Sequence, residues 1–158
     1  MSPAESRALA AWAFVERNRT GVLCTNSLRL AGYPNGSVMP YAVDSGRRPL
    51  FSLSSLALHS RNLAADPRAC LLVAEPAPPG LDPLGLPRVS LFGAVAPVAE
   101  GESRELAERY LARHPAAADW IGLGGFGIYR MEVEALYFIG GFGEMGWVEP
   151  DGYRNAGR

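Results

Sequence analysis

The sequence predicts a mainly β fold: a largely antiparallel barrel of six strands with three peripheral helices. Six apolar runs of strand length recur between residues 20 and 139, several of them joined by short connections. Two helical patterns fall between strands and the other strands follow one another without a helix, so the strict strand–helix alternation of a parallel sheet is absent. The 158 residues suit a single domain with its own core. It divides into an N-terminal helix at about 3–18, a barrel at about 20–148 and a short tail at 149–158.

Ser2-Pro3-Ala4-Glu5 supplies an N-cap, a proline at the first helical position and a capping-box glutamate for the first helix. Leu9, Trp12 and Ala13 are its expected apolar stripe. A buried strand follows at Gly21–Asn26, and Gly32, Pro34, Asn35 and Gly36 mark a turn. The next strand, Ser37–Asp44, holds Pro40, which confines it to an edge or a bulge. Ser45–Pro49 reads as a hairpin loop into the strand Leu50–Ser54. A serine-rich turn then opens a short helix that stops at Asp66-Pro67, before the strand Ala69–Glu75. Residues 76–87, rich in proline and glycine, form a solvent loop with no regular element. Arg88–Val98 is a long strand with a bulge expected at Gly93. Glu102–His114 is an amphipathic helix with Leu106, Ala107, Tyr110 and Leu111 on one face and a Glu105–Arg109 pair on the other. The strand Ile128–Ile139 precedes a glycine-rich end.

Composition excludes several function classes. The chain is 48% hydrophobic with a net charge of −1, which offers no electrostatic footprint for nucleic acid or an anionic membrane surface. No apolar run reaches the roughly 18 residues of a membrane span, and the charged N-terminal segment lacks the pattern of a signal peptide. A cytoplasmic protein is therefore expected. Cys24 and Cys70 can form one disulfide in principle, but in such a protein they read as buried reduced thiols. The two cysteines and two histidines make no zinc-like cluster.

The residues that invite chemistry cluster around the short helix. Ser54, Ser55, His59, Ser60 and Arg61 surround its start, where unpaired N–H groups and the positive dipole end favour a phosphate. His59 reads equally as a capping histidine and as a ligand contact. His114, in a helix's last turn, is a structural residue by its position. Arg88 is a cation opening an otherwise apolar strand. The runs GLGGFG (122–127) and GFGEMG (141–146) match G-x-G-x-x-G, but neither sits between a strand and a helix, so neither is a dinucleotide fingerprint. They supply backbone freedom at bends, and the second could approach a flat ligand beside Phe142 and Trp147. No catalytic nucleophile or paired carboxylates stand out, so any enzymatic chemistry would belong to a cofactor.

The segments NGSVMPYAVD, PLFSLSSLALHSRNLAADPRACLLVAEP, PRVSLFGAVAPV, YLARHP and GGFGEMGWV resemble the pyridoxamine 5′-phosphate oxidase-like split barrels, in the branch that includes haem-utilisation proteins. The resemblance runs from about Thr20 to Val148. It implies a six-stranded split barrel that forms a homodimer with FMN in a shared cleft. Ser37, Val38, Met39, Pro40 and Tyr41 would run along the flavin ring, offering backbone contacts. Leu53, Ser54, Ser55, His59, Ser60 and Arg61 would hold the phosphate, and Arg88 would reach the flavin. Phe142 or Trp147 of the neighbouring subunit would cover the ring. The arginine and lysine that hold the phosphate in true pyridoxamine-phosphate oxidases are replaced by Leu58 and His59, and the arginine-leucine-proline ending is missing, which argues against vitamin B6 oxidation. Haem-degrading members carry a further C-terminal domain and in some cases a C-terminal histidine ligand. This sequence has no histidine after His114, leaving His59 and His114 as axial candidates.

The leading expectation is an FMN-dependent oxidoreductase acting on a small-molecule substrate. Haem binding or breakdown in the same cleft is one alternative, and a cofactor-free dimeric module is another.

Overall fold

The computed structural model describes all 158 residues. Helix α1 (Pro3–Arg17) carries the expected capping box: the Ser2 hydroxyl accepts the Glu5 N–H while Glu5 accepts from Ser2 N–H. Its buried face is Ala8, Ala11, Phe14 and Val15, rotated from the expected stripe; Ala13 is exposed. Trp12 is only half-buried, because the C-terminal segment rather than the barrel covers it.

Strands β1 (Thr20–Asn26) and β2 (Pro34–Pro40) form an antiparallel hairpin. The strand expected at 37–44 is broken at Tyr41. Beyond it β3 (Ala42–Val43) pairs with β4 (Pro49–Ser54), on the opposite edge of the sheet. Helix α2 (Leu58–Ala65), β5 (Arg68–Ala74) and β6 (Arg88–Pro97) follow, then α3 (Glu100–Arg113) and the 16-residue β7 (Phe126–Gly141). A short strand β8 (Glu144–Val148) and helix α4 (Pro150–Asn155) complete the chain. The sheet order is β2-β1-β5-β6-β7-β4-β3, with β8 also on β7. Since β2 and β3 are one segment of chain, the bend at Tyr41 joins the two ends of that order and closes the barrel.

Alternation decides the two faces. Odd positions of β1, β5 and β6 (Leu23, Leu71, Val73, Val89, Leu91, Val95) point into a core shared with α1 and with Tyr41, Phe51 and Leu53. In β7 the inward positions change from Met131 and Val133 to Leu136 and Phe138, because Glu134 is an extra residue opposite the Phe92/Gly93 step. The bulge thus falls beside Gly93, and its inserted residue belongs to β7. Glycine is required at 93: a Cβ there would lie 1.9 Å from the Glu132 carbonyl oxygen. β4 is buried on both sides, since its outer residue Leu50 packs with Leu106, Tyr110 and Ile128 under α3.

Four expectations are corrected. The strands number eight, because the strand at 37–44 is split and the glycine-rich end folds back as β8. On α3 the ion pair is Arg104–Glu108 rather than Glu105–Arg109, and the proline-rich loop contains a 3-10 turn at Pro83–Gly85. The short tail is a docked helix. Tyr153 is buried, its hydroxyl donates to Arg47 O and its carbonyl accepts from Arg47 Nη1 at 2.8 Å. The Arg47 guanidinium lies over the Trp12 ring, 4.2 Å from its centroid. Burial pushes the Tyr153 phenol well above its ordinary pKa, so it donates throughout the physiological range. Tyr153→Ala should therefore cost about 3 kcal/mol of stability, as for other buried aromatics. Chemical denaturation would read this directly; an effect below about 1 kcal/mol would show that the helix is only loosely docked.

Candidate functional site

The start of α2 is built by two turns. Ser55 N–H donates to Gly125 O at 2.7 Å, tying this turn to the GLGGFG bend before β7, and the Ser54 hydroxyl accepts the Leu56 N–H at 3.3 Å. The cap position is Ala57, which offers no side-chain acceptor, so the first N–H groups of α2 lack an internal partner. Ser60 is buried with a hydroxyl that has no hydrogen-bond partner. Arg61 is exposed, as is Ser55. The serine turn thus presents open donors and one permanent cation.

Asn62 fixes the helix. It is fully buried; its amide donates to Thr25 Oγ1 at 3.0 Å and its carbonyl oxygen accepts Leu28 N–H at 3.0 Å. His59 lies three residues earlier, on the same side of the helix. Its ring is partly buried and makes no hydrogen bond, and burial lowers its pKa below the ordinary 6.5. It is therefore a neutral imidazole at pH 7, and two exposed residues, Leu56 and Leu58, precede it in the chain. Sequence reasoning singled out the serines and His59, named Leu58 only as a replacement for a phosphate-holding cation, and missed Asn62 and Leu56. An Asn in mid-helix, three residues after a histidine, was the available signal.

His114 is committed elsewhere. Its Nε2 is 2.7 Å from Tyr41 O, and its ring lies 4.9 Å from that of Tyr110. Tyr41 and Met39 point into the core, with the Tyr41 hydroxyl donating to Val15 O at 2.6 Å; Leu53 is likewise a core residue. Their side chains are thus withdrawn from any ligand, leaving only backbone atoms for the contacts expected of them. Ser37 is half-buried, while Val38 and Pro40 face solvent. Arg88 holds the proline-rich loop, donating through Nη1 to Leu84 O and Leu86 O at 3.2 and 3.1 Å. Phe142, at the β7–β8 hairpin, lies over Gly85 of that same loop.

The outer sheet face ties several of these positions together. Val38, Val22, Leu72, Ser90, Tyr137 and Trp147 are successive partners across six strands. Five interstrand steps separate Val38 from Trp147, about 24 Å. Both are exposed, at 77% and 62%. Within one chain, then, no single flat ligand reaches both.

Asn62→Ala would leave the Thr25 hydroxyl and the Leu28 N–H without partners. A loss of about 2 kcal/mol is expected, with faster amide exchange across α2. Unchanged exchange there would mean that Asn62 does not hold the helix.

The chain is similar to several known proteins. Over 121 residues the chain is 36% identical to the chloroplastic non-canonical heme oxygenase HOZ of Arabidopsis thaliana, an alignment covering 77% of this chain and 36% of that protein. The structure of a heme binding protein from Mycobacterium smegmatis superposes with a TM-score of 0.80 at 30% identity, covering 98% of this chain and 60% of the other. The chain thus spans only about a third and three-fifths of these two relatives. A general stress protein 26 relative of the pyridoxinephosphate oxidase family, from Clostridium acetobutylicum, shares the fold with a TM-score of 0.69 at 15% identity, covering 93% of this chain and 96% of the other. The fold is therefore the pyridoxamine 5′-phosphate oxidase-like split barrel. Residues 2–155, which take in α1, the barrel and the docked α4, match the CREG β-barrel family, and the chain belongs to it.

Proposed function

We propose that this protein binds haem, with His59 as the residue that would hold its iron. The observation that carries this reading is the contrast between the two histidines: His114 is tied to Tyr41 O, while His59 is neutral, without a hydrogen-bond partner and preceded by two exposed leucines. A neutral imidazole is the form that ligates iron, and Leu56 and Leu58 offer the apolar contact a porphyrin face needs. Arg61 is the nearby cation suited to a propionate. The two relatives whose names carry haem binding or haem oxygenase activity support the same assignment. When bound, haem iron would supply the dioxygen chemistry that oxidative haem breakdown requires. The chain's own contribution is to hold the ring edge at α2, supply the imidazole and keep water from it.

This reading also makes the protein a homodimer. Val38 and Trp147 stand at opposite ends of one row, so Trp147 and Phe142 can cover a ligand near β2 only from a second copy. The apolar side chains of that row favour such a contact. The FMN reading survives as the alternative, on one observation. The buried, unpartnered Ser60 hydroxyl and the uncapped start of α2 suit a phosphate, although Arg61 is the only cation among the residues of that turn. A flavin held there would supply hydride transfer, with Ser54 and Ser60 as its phosphate ligands.

Haem titration followed at the Soret band should show one haem per chain, at dimer mass in sedimentation. His59→Ala should weaken binding at least tenfold. Burial depresses the His59 pKa, so the folded state disfavours its protonation: both the stability from the neutral ring and haem affinity should hold above pH 6.5 and decline as pH falls below it. In His59→Ala that pH dependence should vanish. Uptake of FMN with no Soret band would instead favour the flavin reading, and Ser54→Ala with His59→Ala should then loosen FMN without unfolding the barrel. A featureless spectrum with both ligands would leave a cofactor-free dimeric module.

A further inference from the structure

The two cysteines are direct neighbours. Cys24 of β1 and Cys70 of β5 are register partners, both free, both half-exposed and both on the outer face. With Phe92, Gly93, Arg68 and Glu134 they line an open groove of about 500 Å³. The ladder fixes their spacing. Ser27 N–H donates to Tyr33 O at 2.9 Å and Tyr41 N–H to Arg19 O at 2.9 Å, so the odd positions around β1 direct their backbone groups to β2. The even positions, Cys24 among them, therefore bond to β5. Such a hydrogen-bonded pair has Cα atoms about 5.5 Å apart and Cβ atoms near the same value, wider than the roughly 3.8 Å between Cβ atoms of a relaxed disulfide. Two sulfurs bridged by one metal ion, each at about 2.3 Å, stand up to about 4.6 Å apart, which this pair can span.

We propose that Cys24 and Cys70 form a two-coordinate clamp for a soft monovalent cation, of which Cu(I) is the biological example. No group of three or more histidine, cysteine or carboxylate side chains comes together anywhere in the structure, so the four ligands of a zinc site are missing. Paired thiolates with nothing further are what a soft ion of low coordination number selects. On binding, each S–H bond breaks, two S–Cu bonds form, both protons pass to solvent and copper stays in the +1 state. Burial, and after it the neighbouring Cys24, pushes the Cys70 thiol up to about 11, while the Ser90 hydroxyl acts in the opposite direction. Burial also raises Cys24. At neutral pH the pair is thus protonated and slow towards oxidants that need a thiolate, whereas a thiophilic cation displaces the protons. A second copy docked on this face would close the groove and keep water and further ligands from the ion.

The test is an anaerobic titration of the full chain, free of haem, with Cu(I) in competition with bathocuproine disulfonate, equilibrated until the chelator's colour is constant. One copper per chain should leave the chelator. Cys24→Ser and Cys70→Ser should each weaken binding at least 100-fold while retaining the circular dichroism of the parent, and Zn(II) should not displace the copper. Three results would overturn the clamp: chelator that keeps all its copper, single-serine variants that bind like the parent, or air-exposed protein whose mass shows an internal Cys24–Cys70 disulfide. None of them would touch the haem assignment, which rests on different residues.

Discussion

The barrel depends on one corner. At Tyr41 the chain leaves β2, on one edge of the sheet, and enters β3, on the other, and each polar group of that residue is satisfied by a different element. Its N–H donates to Arg19 O after α1, its hydroxyl donates to Val15 O within α1, and its carbonyl is held by His114 at the end of α3. A sharp bend strips backbone groups of their ladder partners, and unpaired buried groups are costly. The corner therefore holds only while both helices stay docked. Helix α1 fills the barrel and α3 seals the outer side of β4, so closure, core and helix packing form one cooperative unit.

That economy explains which positions remain for function. Tyr41, Met39, Leu53 and His114 are spent on closure and core, and Arg88 on holding the proline-rich loop. What remains is the start of α2, where the cap position is an alanine and His59 and Ser60 have no partner, and the outer face from β2 to β8. Both share a property: polar or apolar capacity left unused by the fold. The two ends of that row, Val38 and Trp147, lie five interstrand steps apart on one chain, about 24 Å.

Much of the architecture was legible because strand patterning is local. The six runs, the bulge beside Gly93, the stop at Asp66-Pro67 and the capping box at Ser2 are written in adjacent residues. The split at Tyr41, the strand β8 and the docking of α4 were not. Each depends on a partner far along the chain: His114 for the corner, Arg47 for Tyr153, the upper half of β7 for β8. The site was half legible. Serines around a helix start announce themselves in sequence, whereas the commitment of one histidine and the freedom of the other emerge only when Tyr41 and α3 meet. The facing of Cys24 and Cys70, 46 positions apart, is likewise invisible without the register.

The extra residue in β7 carries a consequence for how this fold tolerates change. Glu134 projects from the sheet and takes part in no ion pair, so its chemistry is expendable and most replacements should pass unnoticed. Its place is expendable too. Without that residue Val133 and Ala135 become neighbours, the alternation along β7 runs unbroken, and Leu136 and Phe138 stay opposite Leu91 and Val89 with their side chains inward. What the deletion would remove is the local bend and added twist of the bulge. The strand can therefore change its length by one residue at this point without moving any core side chain to the other face.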